Sequence, residues 1–119
     1  MPRTKMGAWG EDRAAEYLVR NGYVILKRNF HSRFGEIDII AEKNNTICFV
    51  EVKTRNKSSY VMPGEAVTAG KQRKIILTAE IYLSSYNSEN IACRFDVIEV
   101  FYYISCNFYI NHIKGAFEL

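Results

Sequence analysis

An otherwise apolar stretch of the chain, GEIDIIAEKNNTICFVEVKTR, begins at Gly35 and contains charged side chains among its isoleucines and valines. Four of them have residue types and spacing that suit chemistry: Glu36, Asp38, Glu51 and Lys53. Carboxylate oxygens bind hard divalent cations such as Mg²⁺ and Mn²⁺. A lysine ammonium in such a site can orient or deprotonate a water molecule, or stabilise charge on a phosphoryl group. This combination therefore points to hydrolysis of a phosphodiester bond.

The Asn-Asn dipeptide at 44–45 predicts a tight hairpin turn, because asparagine tolerates the positive φ that such turns require. In that register Asp38 faces Glu51, Glu36 faces Lys53, and all four side chains project from one face of the sheet. The other face would carry four apolar side chains: Ile37, Ile39, Val50 and Val52. A slip of one residue would separate the charged set, so the turn decides the prediction.

Two carboxylates at facing positions repel one another, and in a partly buried setting one of them tends to hold a proton. A divalent cation between Asp38 and Glu51 would relieve the repulsion. Mg²⁺ suits two carboxylates because it keeps several waters, and Mn²⁺ accepts the same ligands. The alternative is a surface salt bridge between Glu36 and Lys53, worth about 0–1 kcal/mol, beside two solvated acids. That alternative does not explain why two acids face each other, so we prefer the cation site.

The remaining chain predicts the elements that position this hairpin. Hydrophobic periodicity predicts helices over 9–20 and 71–86. Alternating apolar residues predict strands over 23–30, 36–42, 46–54, 92–103 and 108–113. The segment 56–70 is polar and contains proline and glycine, which favours a loop. The order is helix, three strands, helix and one or two strands, an α/β domain built on a short mixed sheet.

The composition is that of an ordinary globular protein, and its length of 119 residues suits a single domain over 1–119. No apolar run reaches membrane-spanning length, and the N-terminus lacks the apolar core of a signal peptide, so we expect a cytoplasmic protein without membrane contact. Three cysteines without a CxxC spacing argue against a zinc knuckle or a disulfide framework.

Basic residues near the hairpin are candidates for binding a polyanion, which the net charge of +3 permits. We expect sequence-independent contacts with nucleic-acid phosphates from Arg33, Arg55, Lys71, Arg73 and Lys74. The alternative for each is a solvated surface charge. Among the aromatic residues, Tyr60 in the polar loop is the best candidate for stacking on a base, because most others are expected in the core or at its rim.

Asp38 followed by the triplet Glu51-Val52-Lys53 resembles the D…(D/E)xK signature of the restriction-endonuclease-like nucleases. The chain more closely resembles the YraN family of uncharacterised bacterial proteins, which carry this signature. The resemblance extends over nearly the full length through GAWGEDRAAEYLVRNGYVILKRN, GEIDIIA, FVEVKTR, AVTAGKQRKI, RFDVIEV and HIKGAF. One departure is Ile37, which stands where many members of the superfamily have proline before the aspartate.

The resemblance implies an αβββαβ core and metal-dependent cleavage of DNA or RNA. Junction-resolving members of the superfamily are dimers with an additional glutamate on the first helix, and Glu11 resembles that metal ligand. The alternative for Glu11 is an acid that interacts favourably with the helix dipole. Gln72 resembles a polar residue that several members direct toward the site, and its alternative is an exposed glutamine at a helix start.

The first function hypothesis is a Mg²⁺- or Mn²⁺-dependent endonuclease acting on DNA, with branched or junction DNA among its substrates and a homodimer as its assembly. Its catalytic residues would be Asp38, Glu51 and Lys53, with Glu11 completing the metal ligands. The second is a nucleic-acid-binding protein that retains the nuclease fold without cleavage. The third is an adaptor whose charged face binds another protein.

Overall fold

The computed structural model describes residues 4–56, 67–86, 91–103 and 107–118. Two helices and five strands follow one another in the order αβββαββ. They are α1 (Lys5–Arg20), β1 (Val24–Ser32), β2 (Gly35–Lys43), β3 (Thr46–Asn56), α2 (Ala69–Leu83), β4 (Ala92–Tyr102) and β5 (Phe108–Phe117). The predicted α/β architecture with a restriction-endonuclease-like element order is confirmed.

The five strands form one mixed sheet in the order β1-β2-β3-β4-β5. β3 and β4 are parallel, and the connection between them contains α2; the other neighbours are antiparallel. Parallel neighbours require such a crossover, whereas antiparallel neighbours can be joined by a short connection. The sheet therefore has two edges, β1 and β5.

Each face of the sheet packs against one helix, and successive residues of β3 alternate between the two cores. The core beneath α1 contains Ala14, Leu18, Tyr23, Ile39, Ala41, Cys48, Val50, Ile98 and Val100. The core beneath α2 contains Ile37, Ile40, Ile47, Phe49, Ile75, Ala79, Phe95 and Phe117. Both helices are therefore held chiefly by burial of one apolar side.

Both helices begin before the predicted positions because threonine side chains cap them. The Gly7 N–H donates to the Thr4 hydroxyl at 2.9 Å, and the Lys71 N–H donates to the Thr68 hydroxyl at 3.3 Å. Each bond satisfies a backbone donor that the first helical turn leaves unpaired. The strand predicted over 108–113 also extends further, to Phe117.

The predicted turn of the central hairpin is confirmed, and so is the predicted register between Ile39 and Val50, but the predicted pairing of Glu36 with Lys53 is wrong, because Glu36 is opposite His31 of β1 and lies 3.1 Å from its ring. Asn44 and Asn45 have φ values of 51° and 62°, and pairing runs from Lys43↔Thr46 to Ile39↔Val50. Beyond that point the ladder between β2 and β3 ends.

The prediction that Ile37 and Ile39 share a face is wrong. Ile39 lies beneath α1, whereas Ile37 lies beneath α2 together with its β1 neighbour Phe30. Asn29, which precedes Phe30, has a φ of 53°, so the β1–β2 pair is not regularly pleated here. Of the loop predicted over 56–70, Asn56 belongs to β3 and residues 69–70 to α2, and the stacking candidate Tyr60 lies outside the described residues.

Candidate active site

Asp38 and Glu51 lie next to each other where the β2–β3 ladder ends. Both are buried, with 8% of each residue exposed. The Glu51 carboxyl group donates a hydrogen bond to the Asp38 carboxylate. The Val52 N–H donates to Asp38 Oδ2 at 2.8 Å, a bond that takes the place of a backbone partner for Val52. The hairpin therefore brings the two predicted acids together in a partly dehydrated position.

Burial of the two acids favours their protonated forms. It raises the pKa of Asp38, and together with the Asp38 charge it raises the pKa of Glu51 to about 7. The positive charges of Lys71 and Lys53 oppose this shift without cancelling it. Near neutral pH the two carboxyl groups therefore share a proton, as two acids at one site commonly do.

Two lysines lie close enough to this acid pair for their charges to act on Glu51. Lys71 Nζ is 3.7 Å from Glu51 Oε1, and its side chain is 46% exposed. Lys53 follows Glu51 by two positions on β3, and its charge also acts on the Glu51 carboxyl group. Lys71 is in the first turn of α2, so the threonine cap of that helix helps to place its ammonium near the pair. The sequence predicts Lys71 only as a phosphate contact.

Glu11 is buried on α1 with 6% of the residue exposed. Its Oε1 is 3.9 Å from Arg28 Nη2, on the side of the sheet that α1 covers. α1 approaches β3 closely at the preceding residue, where a Cβ on Gly10 would lie 1.8 Å from Thr54 Oγ1. Over the described ranges, no three His, Cys, Asp or Glu side chains are grouped so that they could hold a metal ion. Glu11 as a metal ligand stays a prediction.

Arg55 is engaged within the protein. Its Nε donates to Glu99 Oε2 at 3.0 Å, and the side chains of Arg55 and Glu99 are 17% and 0% exposed. Asn111 Nδ2 donates to the other Glu99 oxygen at 2.8 Å. Arg55 therefore compensates a buried carboxylate, a role that the sequence did not indicate.

The other predicted nucleic-acid contacts differ in their surroundings. Arg33 lies in the β1–β2 turn, exposed, with its guanidinium over the Phe34 ring. Arg73 and Lys74 are exposed on α2. Gln72 is turned back toward the chain before the helix, where its Nε2 donates to the Val67 carbonyl at 2.8 Å.

Comparison with known proteins assigns the chain to a family. Residues 10–100 match the profile of the uncharacterised protein family UPF0102, which is the YraN family. The chain belongs to this family. A UPF0102 protein of Persephonella marina is 50% identical over 113 residues, covering 95% of this chain and 93% of its own. One of Clostridium beijerinckii is 49% identical over 115 residues, covering 96% and 94%. The range matched by the UPF0102 profile includes Asp38, Glu51 and Lys53.

This UPF0102 chain also has a buried polar network that sequence analysis missed. Asp96 accepts hydrogen bonds from His112 at 2.7 Å, from Arg94 at 2.8 Å and from the Gly115 N–H at 3.0 Å. Burial alone would raise the pKa of Asp96, but these donors outweigh it and lower the pKa to about 2. Tyr17 of α1 joins the network through its contact with the His112 ring.

A sequence signal for buried polar groups existed in RFDVIEV, where Asp96 and Glu99 stand among apolar residues of a strand. Acids within a buried strand require partners. The partners of Asp96 come from β5 and the start of β4, which the strand pattern does not specify. In the part of the UPF0102 chain that the structure describes, no helix is long and apolar enough to cross a membrane.

Proposed function

We propose that this UPF0102 protein is a divalent-cation-dependent endonuclease that hydrolyses phosphodiester bonds in DNA. The observation that supports the proposal is the buried, hydrogen-bonded pair of Asp38 and Glu51 with lysines on its border. Two buried acids at one site lower the stability of the protein. A binding site for a hard cation explains why the fold keeps both acids.

The donor set fits Mg²⁺ or Mn²⁺. Asp38 and Glu51 would hold the cation through carboxylate oxygens, and Glu11 is the candidate for a further ligand from α1. Two carboxylates suffice for Mg²⁺ because it keeps several of its waters. When bound, the cation would stabilise negative charge on a phosphate and increase the acidity of a nearby water.

The lysines would act on the phosphate and on the attacking water. Lys53 would orient the water and stabilise the negative charge that develops on the phosphate. Lys71 is 46% exposed and 3.7 Å from Glu51, so its ammonium can reach a phosphate that approaches the acids. The hydrolysis adds water across a P–O bond, and the leaving oxygen takes a proton from solvent.

The exposed cations would hold the remaining DNA backbone. Arg33, Arg73 and Lys74 are exposed and can contact phosphates without reading sequence. Arg55 would contribute to DNA binding only indirectly, because its guanidinium is hydrogen-bonded to Glu99. A homodimer would place two such sites against one branched DNA, as in the junction-resolving members that the sequence resembles.

The first test is cleavage of linear duplex, flapped, four-way and single-stranded DNA with Mg²⁺, with Mn²⁺ or with a chelator. We expect cleavage only with a divalent cation and about a hundredfold loss for Lys53→Ala, typical of losing one stabilising donor. Lys27→Ala, which alters an exposed lysine on β1, is the matched control and should retain activity. Equal cleavage by Lys53→Ala would contradict the assignment.

Calorimetry with Mn²⁺ tests the acid pair separately from cleavage. We expect binding by the wild type and by Glu36→Gln, whose carboxylate lies outside the pair, and none by Asp38→Asn. Salt-dependent DNA binding without Mn²⁺ binding or cleavage would instead favour a nucleic-acid-binding protein that does not cleave. Absence of DNA binding at low salt would exclude both functions.

A further inference from the structure

Three aromatic side chains form a layered cluster at the β4–β5 end of the sheet, which we name the aromatic platform: Phe101, Tyr103 and Tyr109. The rings of Phe101 and Tyr109 are stacked, with centroids 4.9 Å apart and planes inclined by 15°. Tyr103 lies beside Tyr109, with ring centroids 6.4 Å apart. Phe101 is buried, whereas Tyr103 and Tyr109 are 43% and 38% exposed.

This exposure sets the two tyrosines apart within the described residues. Six large apolar side chains there are exposed: Met6, Val19, Val24, Ile81, Tyr103 and Tyr109. The tyrosines are the aromatic members of this set, and they lie in contact with each other. The Tyr109 ring stacks on the buried Phe101 ring, and Tyr103 contacts this stack through Tyr109.

The strand register places Phe101 and Tyr109 of the platform on the same face of the sheet as Glu51. Arg55 of β3 is opposite Phe101 of β4, which is opposite Tyr109 of β5. Glu51 precedes Arg55 by four residues on β3, and side chains two or four apart share a face. Relative to Glu51, Phe101 and Tyr109 are therefore displaced by about 13 Å along the strands, and by one and two strand widths of about 5 Å each, respectively.

Positive charge lies between the acid pair and the platform. The row between them consists of Lys53, Glu99 and Asn111. Glu99 is fully buried and engaged by Arg55 and Asn111, so the partly exposed cation of this row is Lys53. A polyanion that reaches the acids across this row therefore meets a lysine and then an aromatic surface.

We propose that the aromatic platform binds unpaired bases of a nucleic-acid strand whose phosphates lie along the Lys53 row. This inference rests on the proposed function and names its substrate class, which is DNA with a single-stranded segment beside the scissile bond. Bases stack on tyrosine rings irrespective of sequence, and each such contact contributes appreciably to affinity. The distance to the acids corresponds to a few nucleotides, since a stacked strand advances about 3.4 Å per nucleotide.

The decisive experiment is binding of two single strands of equal length in the presence of a chelator. One carries thymines with a single 2-aminopurine, and the other is abasic, so that both present the same phosphates. We expect the wild type to bind the strand with bases at least tenfold more tightly and to quench 2-aminopurine fluorescence. Equal affinity for the two strands would overturn the proposal, as would absence of binding to either.

Variants of Tyr109 test whether the preference for the strand with bases depends on the platform. Tyr109→Ala should lose about tenfold in affinity for the strand with bases and leave the abasic strand unaffected. Tyr109→Phe should retain the preference, and Tyr109→Leu, which keeps apolar packing on Phe101, should lose it while remaining folded. Val24→Ala, an exposed apolar position on the opposite edge strand, is the control. An unchanged preference in Tyr109→Leu would overturn the proposal.

The same experiment separates this inference from the proposed function. Binding in the presence of chelator does not require cleavage, so a base preference without cleavage would support the platform and contradict the endonuclease. If the wild type and Tyr109→Leu each cleave flapped and blunt DNA at the same rate, the result would support the endonuclease and contradict the platform. If Tyr109→Leu instead converts a dimer into a monomer in sedimentation without altering DNA preference, the platform is a contact between copies and the proposal fails.

Discussion

The backbone N–H of Val52 donates to Oδ2 of Asp38 at 2.8 Å, at the point where β2 and β3 cease to pair. The carboxylate thus replaces a backbone acceptor and is held in a fixed orientation. Because the same carboxyl group also hydrogen-bonds to Glu51, its position is determined from two sides. A site for a cation benefits from such prior ordering, since the ligands need not rearrange on binding.

The acid pair should lower the stability of the cation-free protein. We expect Asp38→Asn to raise the free energy of unfolding by about 1–2 kcal/mol at pH 8 with a chelator present. Asparagine retains an acceptor for the Val52 N–H and supplies a donor to Glu51, so the packing is kept while a buried charge is removed. Urea denaturation measures the change. Glu36→Gln, on a side chain that is 40% exposed, should change stability by less than about 0.5 kcal/mol.

Arg55 should be needed for stability because it compensates the buried Glu99 carboxylate. We expect Arg55→Ala to cost about 3 kcal/mol in urea denaturation, as when one partner of a buried ion pair is removed. The double variant Arg55→Met with Glu99→Leu should recover most of the loss, because no charge is then left buried. Arg33→Ala, at an exposed turn, is the control. A loss below about 1 kcal/mol for Arg55→Ala would mean that the pair contributes little.

Asp96 should make the protein sensitive to acid. Its pKa is about 2 in the folded protein against an ordinary 3.8, so its contribution is fully present above pH 4 and is lost as the pH falls toward 2. The lost stability amounts to about 2 kcal/mol. Thermal unfolding between pH 2 and 5 should show a shallower acid dependence in Asp96→Asn than in the wild type. Asp12→Asn, at the exposed end of a surface ion pair, should keep the wild-type dependence.

Gly10 should be required for the close approach of α1 to β3. An added Cβ would lie 1.8 Å from Thr54 Oγ1, so we expect Gly10→Ala to displace the helix and cost about 1–3 kcal/mol. Gly70→Ala is the matched control, because nothing lies within 4 Å of its added Cβ. In α2 that change should be neutral or slightly stabilising. Equal melting temperatures for the two variants would contradict the packing explanation.

Much of the candidate site could be predicted because its geometry is local. The hairpin register depends on the Asn44–Asn45 turn and on alternation within two short strands, and both are visible in the sequence. The same pattern predicted that Asp38 and Glu51 would meet. It failed at Ile37, which packs beneath α2 beside Phe30, where β2 pairs only with β1 and Asn29 of β1 has a positive φ.

The amino-acid sequence by itself determined the element order, the central turn, the neighbouring acids and the family. Only the tertiary structure decided that the Lys71 ammonium lies near Glu51 and that Arg55 forms an ion pair with the buried Glu99. It also decided that Asp96 is surrounded by hydrogen-bond donors. Apart from the bond between Arg94 and Asp96, these contacts join residues far apart in the chain, 44 positions for Arg55 and Glu99. Periodicity records which side of an element is apolar, but it does not record which elements pack together. That packing decides which charges lose their water and therefore need partners.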